Sequence, residues 1–92
     1  MIDGFRHAGL KRLFEDDDRS GVPAEHVERL RTALAALQAA ERPSDLDMHT
    51  FQLRALKGRS KGFLAVTVRA RVRVTFRFGL GNAYAVDLVD RL

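Results

Sequence analysis

An α+β fold, with a small antiparallel sheet packed on two N-terminal helices, is predicted by three observations. Apolar residues recur at helical spacing in two stretches up to Ala40, they alternate with polar residues from Phe51 onward, and the alternating runs are separated by turn and loop residues. The 92 residues provide for one core, so 1–92 is expected to form a single domain.

The elements follow in order. Ile2 to Phe5 suits a short strand. A helix is expected from about His7 to Glu15, where Leu10, Leu13 and Phe14 share a face. The run Asp16-Asp17-Asp18-Arg19-Ser20-Gly21 breaks it and reads as a solvated loop, with too few spaced oxygen ligands for calcium. Pro23 opens a second helix that runs to about Ala40. Glu25 and Glu28 favour its positive end, and Val27, Leu30, Leu34 and Leu37 form one apolar stripe among five alanines of high helix propensity. Glu25 stands four residues before Arg29, a spacing that favours an ion pair. Arg42-Pro43-Ser44-Asp45 stops the helix, with one short turn near Leu46.

Four strands are expected after that. Phe51, Leu53 and Ala55 alternate with Gln52, Arg54 and Leu56. A loop over 57–62, with two glycines and three cations, leads to Leu64, Val66 and Val68. After a tight turn near Arg69-Ala70, Val72, Val74, Phe76 and Phe78 face inward. Gly79-Leu80-Gly81-Asn82 reads as a hairpin loop, and Tyr84, Val86 and Leu88 supply the inward face of the last strand.

Charge is unevenly spread over this frame. The net charge is +4; residues 1–50 carry seven Lys/Arg against ten Asp/Glu (−3), and residues 51–92 carry nine against two (+7). A polyanion-binding surface is therefore expected on the sheet half. Because strand side chains alternate, burying the apolar set aligns Arg71, Arg73 and Arg77 in a row on the opposite face, with Thr75 among them. Arg54, Lys57, Arg59 and Lys61 extend the patch. Like-charged neighbours two residues apart repel one another, which favours a phosphate-binding face over a merely solvated one. Of the seven aromatic residues only Phe63 and Tyr84 are expected to be partly open, so phosphate contacts should dominate. No apolar run is long enough to span a membrane, the N-terminus does not read as a secretory signal, and the absence of cysteine rules out disulfides and thiol chemistry.

Several stretches carry a family resemblance over nearly the full length. Arg6-His7-Ala8-Gly9-Leu10-Lys11-Arg12-Leu13-Phe14-Glu15, Ser20-Gly21, His26, Arg29-Leu30-Arg31, Asp45-Leu46-Asp47, Leu56-Lys57-Gly58, Lys61-Gly62, Arg73-Val74-Thr75-Phe76-Arg77-Phe78 and Asn82-Ala83-Tyr84 occur in one order. In that order and spacing they resemble the HigB-type toxins of the RelE/ParE superfamily. The resemblance implies a toxin of a type II toxin–antitoxin pair, monomeric when free, that enters the ribosomal decoding site and cuts messenger RNA; the N-terminus and the lack of a long apolar run set the expectation that it is cytoplasmic. The resemblance also implies a helix-turn-helix antitoxin as partner, no cofactor, and attack of a ribose 2′-hydroxyl on the adjacent phosphate without a metal. Arg73 matches the family's phosphate-clamping arginine. Lys57 follows as base or charge clamp, with Arg54 and Asp90 completing the catalytic set. Arg59, Lys61, Arg71, Arg77 and Arg91 are expected to contact RNA.

Two departures stand out. Arg54 occupies the place of a common family histidine, and the chain ends Asp90-Arg91-Leu92 where the family ends Asp-Tyr-His. Arginine stabilises charge but does not transfer protons near neutral pH. Asp90 is then base or organiser of the arginines. His7 and His26 read as surface or interface residues on the helices, and His49 as a polar loop residue nearer the sheet. Two alternatives stay open: a module that binds antitoxin or ribosome without cutting, and a gyrase inhibitor of the ParE branch, against which Lys57-Gly58 and Arg73 argue.

Overall fold

His7 begins the first helix by capping it: its Nδ1 accepts the Leu10 N–H at 3.1 Å, satisfying one of the donors that a helix start leaves unpaired. The computed structural model describes residues 1–46, 51–69 and 71–89. Helix α1 spans Ala8–Asp16 and ends at Asp17, which is left-handed at φ 56°. Leu10 and Leu13 are buried, whereas Phe14 stays near the surface, its ring centre 5.8 Å from that of Phe5. A 3₁₀ turn, Ala24–His26, precedes helix α2, Val27–Ala39. The expected stripe of Val27, Leu30, Leu34 and Leu37 is fully buried, each side chain contributing about 1.5–3 kcal/mol of apolar transfer. A short 3₁₀ turn, Pro43–Leu46, follows where a turn near Leu46 was expected.

The expected Glu25–Arg29 pair does not form. Arg29 instead donates to the Val68 carbonyl at 3.0 Å, a buried-end contact that ties α2 to the sheet and outcompetes a solvent-exposed ion pair. The acidic run is less free than a solvated loop. Asp17 pairs with Arg31 of α2, and Asp18 accepts from the Ser20 N–H at 3.0 Å and the Ser20 hydroxyl at 2.7 Å, with Arg12 at 3.5 Å. These two Ser20 hydrogen bonds, backbone first, hold the Asp18 carboxyl below its ordinary value. Gly9 and Gly21 let the loop lie on the first turn of α1: a Cβ on Gly21 would stand 2.6 Å from the Gly9 Cα.

The sheet contains β1 (Arg54–Ala55), β2 (Leu64–Arg69), β3 (Val72–Gly79) and β4 (Asn82–Val89), antiparallel and in sequence order. Strand β1 is shorter than its alternation suggests because Gln52 is left-handed at φ 49°. The chain still follows β2, with the Thr67 N–H donating to Phe51 at 2.6 Å and the Leu56 N–H to Phe63 at 2.9 Å. Residues 80–81 close the last hairpin with both backbones left-handed (φ 54° and 80°), the geometry of a two-residue turn that matches strand twist. The N-terminal segment is a parallel companion to β4, bridging Ile2 to Ala83 and Phe5 to Val86, so it covers that strand's edge.

Val66, Val68, Val72, Val74 and Phe76 face the helices and are buried, as their alternation requires. In β4 the expected phase is corrected. Thr75 pairs with Asp87 but Arg77 pairs with Tyr84, so β4 takes three residues where β3 takes two. The extra residue is Ala85, left-handed at φ 53°. Ala83, Val86 and Leu88 therefore point to the core, and Tyr84 points away from it.

Candidate functional site

The face of the sheet opposite the helices is ordered by its register, because residues paired directly across antiparallel strands project to the same side. One row runs Arg54–Ala65–Thr75–Asp87, a second Thr67–Arg73–Val89, and a third joins Arg77 to Tyr84. Ala65 and Thr75 are buried although they belong to this face, Thr75 being only 8% exposed. Short side chains in the middle of the sheet, with Arg54 on one side and Arg73 and Arg77 on the other, make a shallow trough that has the Thr75 hydroxyl on its face.

The expected arginine row is present in modified form. Arg73 and Arg77 lie two pairs apart on β3, the first half-buried and the second exposed. Arg71 precedes the first residue of β3 and sits, exposed, in the turn rather than in the row. Arg54 is exposed on β1, across two strands from Arg73 and one pair-step along. With strands about 4.8 Å apart and paired residues about 6.8 Å apart along them, the two Cα atoms stand roughly 12 Å apart. Extended side chains from both sides can meet on one phosphate across that gap.

Lys57 is extended and exposed just before a 3₁₀ turn, Gly58–Ser60, and Arg59 and Lys61 are exposed in and after that turn. The loop thus sets three cations beside the β1–β2 edge. Asp90, Arg91 and His49 lie outside the described residues, so three expected or candidate positions receive no placement. Among the described residues, the ion pairs join Arg12 and Arg31 to Asp17, Asp18 and Glu28, all on the helical side; none involves Arg54, Lys57, Arg59, Lys61, Arg73 or Arg77.

Neither described histidine reaches the trough. His7 is occupied as a helix cap, and His26, expected at a surface or interface, is corrected to a buried position, 7% exposed at the start of α2 with its Nδ1 unpartnered among the described residues. Sequence reasoning also missed Asp87, the carboxylate that shares a row with Thr75 and Arg54. Alternation between Val86 and Leu88 was signal enough to find it. Phe63 is half-buried and Tyr84 is 39% exposed, as expected, but they are not alone: Phe14 is exposed on α1, and Phe5 and Phe78 are half-buried. Among the described residues no three His, Asp or Glu side chains gather as a metal site, and no helix is long and apolar enough to cross a membrane. Two shallow grooves lie away from the trough. One runs between α2 and β2 beside Glu28, Arg29, Phe51 and Val68, the other between α1 and α2 beside Leu13, Phe14, Arg31 and Leu34.

The trough offers arginines on both sides of it, a hydroxyl and one carboxylate on one extended face of the sheet. Such a surface suits a phosphodiester chain better than a small enclosed ligand. Comparison with known proteins agrees in kind. Residues 3–91 match the family described as the RelE-like toxin of type II toxin–antitoxin system HigB. The chain is also 42% identical over 90 residues to an endoribonuclease HigB from Proteus vulgaris, an alignment covering 98% of each chain.

Proposed function

Since this chain belongs to the HigB-like family of RelE-like toxins of type II toxin–antitoxin systems, we propose that it is an endoribonuclease that cuts messenger RNA on the ribosome and so arrests translation. The observation that carries this reading is the set of Arg54, Arg73 and Arg77 on one face around Thr75, with no acidic partner in ion-pair contact among the described residues. Toxins of this class act within a pair, so the protein's partner is an antitoxin; we infer one of helix-turn-helix type.

In the proposed reaction the 2′-hydroxyl oxygen attacks the adjacent phosphorus, and the bond from phosphorus to the 5′-oxygen of the next nucleotide breaks. The products are a 2′,3′-cyclic phosphate and a free 5′-hydroxyl. Arg73 holds two phosphate oxygens with its planar fork, and Arg54 approaches from across the trough; both offset charge that grows in the transition state. Lys57 and Asp90 are assigned the proton transfers, one removing the 2′-proton and the other supplying the leaving oxygen. Arg59, Lys61, Arg71, Arg77 and Arg91 hold the flanking backbone through salt-sensitive phosphate contacts.

Ribosomes programmed with a defined message test the reading. Cuts within the A-site codon, leaving a cyclic phosphate on the upstream fragment, are expected. An intact message at saturating protein refutes cleavage. One observation favours a second reading, binding without cutting: no imidazole from the described residues enters the trough. That reading predicts arrested translation with uncut message in the same assay.

A further inference from the structure

The far end of the trough, toward the β3–β4 hairpin, carries a feature that phosphate clamping alone does not use. The Arg77 guanidinium lies 5.1 Å from the centre of the Phe63 ring, and that of Arg6 lies 5.6 Å from the same ring. Tyr84 pairs with Arg77 across the strands and is 39% exposed. Gly62, left-handed at φ 94°, passes so close that a Cβ there would stand 2.7 Å from an Arg77 nitrogen. The backbone beneath Tyr84 is equally particular: Gly79 lies under its ring edge, where a Cβ would meet Cε1 at 3.5 Å, and the left-handed Ala85 turns the phenol outward.

We propose that Arg77 and Tyr84 form a nucleobase-stacking subsite for an RNA nucleotide flanking the one that is cut, with Phe63 as the positioning residue that holds the Arg77 guanidinium flat. The proposal rests on the RNA-cleaving reading and deepens it. A guanidinium anchored on one side by an aromatic ring presents its other side as a planar, cationic platform, and bases stack on both arginine and tyrosine planes. Four residues along β3 separate Arg77 from Arg73, about 13 Å at strand rise, so the subsite serves a neighbour rather than the scissile phosphate. Stacking reads the face that every base possesses. The subsite therefore adds affinity and register with little base preference.

The test uses the full chain and a fluorescent single-stranded RNA made uncleavable by 2′-O-methyl groups, alongside single-turnover cleavage on programmed ribosomes. Tyr84→Ala is expected to weaken binding about tenfold, the effect of losing one stacked base, and to raise by a similar factor the protein concentration that half-saturates cleavage, while the saturated rate changes less than twofold. Tyr84→Phe restores most of the affinity, which separates stacking from a folding defect. Abasic substitution at successive RNA positions should cost wild type about tenfold at one flanking position and cost Tyr84→Ala nothing further there. Phe63→Leu, which removes the support of Arg77 but not the charge, should weaken binding several-fold. Equal abasic maps for wild type and Tyr84→Ala overturn the subsite. Wild-type protein that shows the abasic signature but leaves every message intact overturns the nuclease reading and leaves the subsite standing.

Discussion

Replacing Arg73 by alanine should separate chemistry from stability. Arg73 is half-buried between Thr67 on one side and Val89 on the other, and among the described residues no carboxylate is in ion-pair contact with it. Alanine therefore breaks no ion pair and forfeits only partial packing of the side-chain stem, while relieving repulsion from Arg77. The stability change should stay within about 1 kcal/mol, which moves the Tm of a chain this size by no more than roughly 8 °C. Losing one preorganised donor to a developing phosphate charge, by contrast, costs about 10²–10³ in rate. Arg73→Lys keeps the charge but not the two-pronged geometry, and should recover only part of the loss. Single-turnover cleavage of a programmed message, with thermal melts of the same preparations, measures both quantities. A rate within threefold of wild type for Arg73→Ala refutes the clamp, and a melting collapse that matches the activity loss refutes the claim that the residue acts on the substrate.

Arg54→His places an imidazole in the row that holds Thr75 and Asp87; the cleavage rate should acquire a limb rising through the ordinary histidine range near pH 6.5, and an unchanged pH–rate profile counts against Arg54 lying at the reacting centre. Gly9→Ala gains up to about 1 kcal/mol of helix propensity but drives a methyl group into the Gly21 carbonyl, backbone that cannot swing aside, at about 1–3 kcal/mol. A lower Tm is expected, and an unchanged or higher one refutes the close approach. The depressed Asp18 carboxyl stabilises the loop after α1 at pH above its ordinary value of 3.8, and this contribution is lost as pH falls through its lower folded value. Urea midpoints of wild type and Asp18→Asn should accordingly differ at pH 7 and converge at strongly acidic pH; a gap independent of pH refutes the linkage.

The fold was legible wherever burial set the pattern. The α2 stripe and the inner residues of β2 and β3 follow directly from period, because each apolar side chain has one face on which it can leave water. What escaped depends on single backbone angles. Gln52 shortens β1, and Ala85 shifts the phase of β4, yet neither is a glycine or asparagine that would announce a left-handed position. Arg29 chose a strand carbonyl over Glu25 because the partner lies 39 residues away, beyond any local rule. Within the site, Arg73, Arg77 and Arg54 could be aligned from alternation alone. Arg71 was misassigned to the row because the start of β3 was placed one residue too early. His26 looked like a surface residue because a helix-start histidine carries no sign of what packs over it.

The bulge at Ala85 joins the fold to the site, and magnitudes decide why it is tolerated. Were β4 regular from the Arg77–Tyr84 pair onward, Thr75 would face Val86 and Val74 would face Asp87. A valine would then lie in the open trough and a carboxylate in the core. Keeping instead the Thr75–Asp87 pair and running the strand regularly toward the hairpin would turn Tyr84 inward, where the small Ala83 now fits with no exposed surface. A left-handed alanine costs about 1–2 kcal/mol. Burying Val86 returns about 1.5–3 kcal/mol, and sparing Asp87 an unpaired burial avoids several more. The distortion is thus favourable on core grounds before any ligand is considered. It also sets the Tyr84 phenol beside Arg77 and the Asp87 carboxylate beside Thr75. In β4, then, the packing requirement and the proposed RNA surface are met by the same extra residue.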